Sequence, residues 1–211
     1  MPNSEALSSW PDLIKSRSRE RPRDAVQLVE KMVKLALTDE VKKIDDNILS
    51  AVMPKYSQER AELVAGEYAE ECPELLHVIR SMSRLECSHG AFLADAEAVK
   101  KHLITIQSSF TIHLNGLVLK PTKEEDIFNL WSLLFQAGIF YPRVTDDRQR
   151  EGYRFILPHE DPGLLVKARW NDIQQTLWEI HPVFRDFLIV EQREQKARFG
   201  LATKHRSKGR R

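Results

Sequence analysis

The sequence predicts a mainly α-helical protein, in which a helical bundle is followed by a winged-helix domain with a small β-hairpin. Three features carry this reading. Apolar residues recur at helical spacing from position 21 to about 105. A broad apolar helix spans 122–136 and stops at Gly138. Two short runs rich in aromatic and branched residues, IFYPRV and YRFIL, flank the charged segment TDDRQREG.

Taken in order, residues 1–20 are polar and without sustained periodicity, and read as a flexible leader. Pro22 suits the first turn of a helix, where its missing N–H costs nothing. Behind it Val26, Leu28, Val29, Met32, Val33, Leu35, Ala36 and Leu37 give about four helical turns. Asp45 is placed to cap a short helix that Pro54 would close. Ser57 is the next cap, and Pro73 restarts the chain as PELLHVIRSM. FLADAEAVKKHLI is a further helical pattern, which completes a helical, lid-like domain over 21–105. The stretch 106–121 reads equally as a strand or a connector.

In the second half Thr122 and Glu125 have the spacing of a reciprocal capping box. Ile127, Phe128, Leu130, Trp131, Leu133, Leu134 and Phe135 form the apolar helix behind it, and Gly138 stands where a left-handed cap is wanted. Helix, strand, polar loop and strand define a winged-helix-like domain over 106–194, with residues 145–152 as the wing. Two helices end it, one over Trp170 to Ile180 and one from Pro182 onward. His181, just before Pro182, reads as a helix-boundary residue. Residues 195–211 hold seven Lys or Arg and no acid, a basic tail predicted to be disordered.

Composition limits what such a fold can do. The 211 residues carry 32 Lys plus Arg against 31 Asp plus Glu, with a mean hydropathy of −0.43. Outside the basic tail the balance is 25 basic to 31 acidic. No uncharged apolar run approaches the ~18 residues of a membrane span, and no secretory signal pattern opens the chain. Cys72 and Cys87 form no CxxC pair. These features predict a soluble, cytoplasmic protein with no membrane partner.

Enzyme motifs are missing. A P-loop needs glycines five apart before Lys and Ser or Thr, and a dinucleotide fingerprint needs glycines two apart. The hydrolase elbow needs them four apart. The glycines at 66, 90, 116, 138, 152, 163, 200 and 209 satisfy none of these spacings. Cys87 and His89 in ECSHG are the closest soft-ligand pair, short of the four ligands of a zinc site. No metal site, no catalytic residue and no cofactor bound by this chain alone are expected.

The order of the motifs resembles the region that follows the nucleotide-binding core of bacterial STAND and AAA+-type P-loop ATPases. RPRDAVQLVEKMVKLA is similar to their Arg-Pro-Arg-Asp turn and lid helix, followed by a short helix like IDDNILSAV and a Tyr-Ser helix start like Tyr56-Ser57. LLFQAGIF and EIHPVF are similar to their Leu-Phe-x-x-Gly-Ile and His-Pro-x-Phe segments. The resemblance covers roughly residues 19–190 and implies a chain without the core. ATP and Mg²⁺ would then enter only with a partner core, in a split or truncated ATPase or a free-standing adaptor.

The resemblance further implies that Arg21 or Arg23 reaches the γ-phosphate held by such a core, where fixed positive charge offsets the charge of phosphoryl transfer. The residues themselves equally allow both arginines to pair with Glu20 and Asp24 at the helix start. Two functions follow. One is a non-catalytic regulatory or interaction module docking on an ATPase core or another protein, supported by the cation-poor, apolar helix 122–136. The other is a DNA-binding protein using Arg143, Arg148, Arg150 and Arg154 of the wing with Lys204, Arg206, Lys208, Arg210 and Arg211 of the tail.

Overall fold

The computed structural model describes residues 10–18, 21–90, 92–148 and 152–208, with side chains described as far as Arg198. Eight α-helices lie in that span, accompanied by a four-stranded antiparallel sheet and a two-stranded hairpin. No helix among the described residues is long and apolar enough to cross a membrane.

Helix α1 (Trp10–Arg17) lies inside the expected leader. It is held because Arg17 is buried and donates from Nη1 to the Pro182 carbonyl at 3.0 Å and to Asp186 at 3.1 Å. Helix α2 (Pro22–Thr38) starts with proline in its first turn, as its sequence predicts. Helix α3 (Asp46–Glu67) is capped by Asp45, whose carboxylate accepts from the amides of Asn47 and Ile48. It does not stop at Pro54. The carbonyl of Ser50, which would have bonded the missing N–H, lies on an exposed residue where water can serve it. The buried row Ile48, Val52, Met53, Tyr56, Arg60 and Val64 continues through the proline. Ser57 is therefore an interior residue and not a cap, and its Oγ accepts from the Phe187 amide at 3.0 Å.

Helix α4 (Leu75–Ser81) follows Pro73. The next expected helix is divided, because Leu93–Asp95 forms strand β1 and only then does Asp95 cap α5 (Ala96–Ser109) through the Ala98 amide. The ambiguous stretch resolves into the end of α5 and a hairpin, β2 (His113–Leu114) and β3 (Leu117–Val118). Its turn is Asn115-Gly116, both at positive φ, the two-residue turn whose twist matches paired strands.

Helix α6 (Glu124–Gln136) has Lys123 at its N-cap without a side-chain cap bond, so the Thr122–Glu125 box does not form. Asp126, buried, instead accepts from the Lys120 amide at 2.9 Å. At the other end Gly138 (φ 73°) closes the helix, with its amide on Phe135 and the Ile139 amide on Leu134. All seven apolar residues predicted for α6 are buried.

Strands β4 (Phe140–Thr145) and β5 (Tyr153–Phe155) pair as the sequence predicts. The helix expected over Trp170 to Ile180 is cut short. Helix α7 ends at Gln174, and Leu177–Ile180 is strand β6, inserted between β1 and β4 in the order β1-β6-β4-β5. Trp178 of β6 packs on Trp131 of α6 with ring centroids 4.7 Å apart, and both are fully buried. Aromatic burial of this size favours the strand over continued helix by fixing Trp178 toward α6.

Helix α8 starts at Pro182, where His181 Nδ1 accepts from the Val183 amide, and runs to Lys208. The backbone of 195–208, part of the expected basic tail, continues this helix. Gln192 and Gln195 anchor this helix, both donating to Ser83. One buried cluster runs from Leu28 to Leu188, across the expected boundary at 105/106.

His102 sits on α5, largely buried, and burial with the nearby Arg84 charge pushes its pKa down to about 4 from the ordinary 6.5. Between those values the unfolded chain binds more protons than the folded one, so stability rises with pH through that window and is complete above it. Urea midpoints at pH 4.5 and 7 should differ by less in His102→Leu than in the wild type. An unchanged difference would remove His102 as the cause.

Candidate interaction surface on helix α2

The position of α2 is set from below. Asp24, in its first turn, receives Arg60 of α3 at 2.7 Å, with side chains 2% and 7% exposed. Tyr56 lies beneath the Arg60 guanidinium and donates its hydroxyl to the Asp24 carbonyl at 3.0 Å. Leu28, Met32 and Ala36 share this buried face. At 100° per residue Val26, Val33 and Leu37 fall on the opposite side, with Val29 beside them. Val26 is 65% and Leu37 74% exposed, and Val29, Val33 and Val41 are exposed too. Single exposed apolar residues are unremarkable, whereas five along one helix and its following turn form a continuous patch.

The sequence contained the signal for this patch. Eight apolar residues between 26 and 37 are too many for one core-facing side of a helix, and sorting them by angle separates two faces. The converse holds for α6, whose apolar side chains were grounds for expecting a protein partner. They are consumed within the chain, and its outward positions are Glu125, Asn129 and Gln136.

The predicted cations disperse. Arg21 pairs with Glu67 of α3 at 3.0 Å, and Arg23 is exposed on the first turn of α2. Arg143 is committed to the sheet. It pairs at 3.2 Å with Glu179, which is buried and also takes Arg185, and its guanidinium lies over Tyr153 at 3.2 Å. Arg154 donates to both oxygens of Glu160. Because Arg154 is registered with Val144, it projects from the face opposite Arg143. Arg148 is exposed on the β4–β5 loop. Arg150, Arg210 and Arg211 lie outside the described residues, and Lys204, Arg206 and Lys208 lie on the α8 backbone beyond the described side chains. Arg143, Arg148 and Arg154 therefore do not form one cationic face.

A shallow groove of about 560 Å³ runs between the β2–β3 hairpin and α6, lined by Leu114, Leu117, Val118, Lys120, Lys123 and Asp126. Asp126 is already engaged by the Lys120 amide and lies 3.6 Å from Lys123, so these groups make no acid–base pair. Burial pushes both thiols up, Cys72 to about 11, away from nucleophilic use. Among the described residues no three His, Cys, Asp or Glu gather as metal ligands would. No protein-family model, curated protein or solved structure matches the chain.

Removing one partner of the buried pair strands the other charge. Asp24→Ala should lower unfolding free energy by about 3–5 kcal/mol, whereas Asp24→Ala with Arg60→Met should recover much of the loss. Equal losses in the single and double variants, measured by urea denaturation, would show that the pair does not position α2.

Proposed function

We propose that this chain is a non-catalytic regulatory or interaction module that works by docking α2 onto a protein partner. The observation that carries the reading is the outward apolar row Val26, Val29, Val33 and Leu37 on a helix whose opposite face is locked to α3. Covering each such side chain is worth roughly 1.5–3 kcal/mol at full burial, enough to drive association. A P-loop ATPase core is a partner consistent with the resemblance of this helix to an ATPase lid, with Arg21 or Arg23 as the nucleotide-sensing arginine. Arg23 suits that role better, since Arg21 already pairs with Glu67.

In this reading α5, α6, β4 and β5 are a winged-helix unit, extended by β6 as a fourth strand. Mixed with a P-loop ATPase encoded beside this chain, the wild type should change ATP turnover, and Leu37→Glu should abolish the change. Arg23→Ala should lower turnover while leaving co-sedimentation intact. Equal co-sedimentation of wild type and Leu37→Glu would sink the docking reading.

The winged-helix DNA-binding alternative keeps one specific support, the acid-free, helical C-terminal stretch of α8. Contacts of that kind to phosphate would weaken steeply with salt. Fluorescence anisotropy of labelled duplex DNA at 50 and 200 mM salt, with and without residues 195–211, tests it. The expected result is weak binding that disappears on truncation, and binding unaffected by truncation would restore the wing as reader.

A further inference from the structure

We infer that the partner of the α2 face is a second copy of this chain, packed antiparallel. The inference rests on the docking reading above and puts a second copy of the chain, in place of an ATPase core, on that face. Val26, Glu30, Val33 and Leu37 follow one another at alternating steps of four and three, the spacing of a helix–helix seam. Arg23 continues the seam at its N-terminal end, and the exposed Asp39–Glu40 turn lies just past its C-terminal end.

The charges decide orientation. In an antiparallel pair the Arg23 end of one copy lies against the Asp39–Glu40 end of the other, and the helix dipoles oppose. A parallel pair would set Arg23 against Arg23 and acid against acid. With Val26 opposite Leu37 of the other copy, Glu30 lies opposite Val33 and within reach of the other copy's Lys34. Two-fold symmetry repeats the contact with roles exchanged, so the patch is complementary to itself. Lys31, on the flank nearer α3, is already paired with Glu59 and does not enter the seam. Lys42 and Lys43 follow Val41, beyond the acidic turn.

From Val26 to Leu37 the seam is about 16 Å long. A contact of three helical turns buries less than the ~1,600 Å² of a standard interface, so the pair is a weak and reversible one.

Sedimentation equilibrium of the full chain from about 5 to 500 µM should show the mass rising from 24.5 kDa toward twice that value. Leu37→Glu should remain monomeric throughout. Glu30→Lys and Lys34→Glu should each raise the dissociation constant at least threefold, and the two together should return it to the wild-type value. These positions are exposed, so thermal midpoints followed by circular dichroism should match the wild type; a variant that melts early is replaced by Val33→Ser. Dimerisation that ignores Leu37→Glu, or a double variant as weak as the single ones, would overturn the antiparallel seam. So would a wild type monomeric at every concentration. In that last case anilinonaphthalene sulfonate fluorescence separates the two readings. Dye binding lost in Leu37→Glu leaves α2 an open docking face for another protein, and dye binding equal in both removes that reading as well.

Discussion

One turn of α3 holds the bundle together. Within Tyr56–Arg60, the Tyr56 hydroxyl donates to the backbone of α1 and α2, Ser57 accepts from α8, and Arg60 closes the buried pair with Asp24. A charged pair in so dry a place is a poor source of net stability, yet it is intolerant of losing either member. Its value lies in selection: a rotated α2 would leave Arg60 without its carboxylate. The outward direction of Val26, Val33 and Leu37 follows from this lock, and any use of that face depends on it.

A second buried ionic contact does the same for the sheet. Glu179 of β6 takes Arg143 from β4 and Arg185 from α8, so a residue in the central part of the sheet gathers cations from two elements. The insertion of β6 is coupled to this fork and to Trp178, which packs against Trp131, Phe135 and Phe140. Among the arginines expected to meet phosphate, the one with the most structural work is therefore the one least available to it. Charge counts along a loop do not reveal such prior engagement, because the partner carboxylate lies 36 positions away along the chain.

Local signals were readable where local forces decide. Proline in the first turn of α2, the Asp45 cap, Gly138 at the end of α6 and the β4–β5 hairpin all follow from backbone chemistry within a few residues. The misreadings share another cause. Pro54 and Ser57 carry helix-boundary signals, but a buried row on α3 overrides them, and the carbonyl freed at Ser50 belongs to an exposed residue. Leu93–Asp95 and Leu177–Ile180 have helix-compatible composition and become strands because they pair with each other. The Asn115-Gly116 dipeptide is itself a hairpin signal, and it resolves the stretch 106–121 that strand and connector readings share. Of the surface on α2, the apolar residues were all visible, and their division into two faces was available from helical geometry.

By itself the sequence determined a mainly helical chain, the starts of α2, α3 and α8, and the absence of phosphate-gripping glycine spacings. These depend on interactions within one or two turns, whose free energies are set by adjacent residues. Tertiary structure alone decided that the apolar side chains of α6 are core, that β6 joins the sheet, and that Arg143 and Arg154 are committed to carboxylates. Each of those outcomes depends on which distant side chain fills a given space, and apolar pattern specifies that something must be covered without specifying by what.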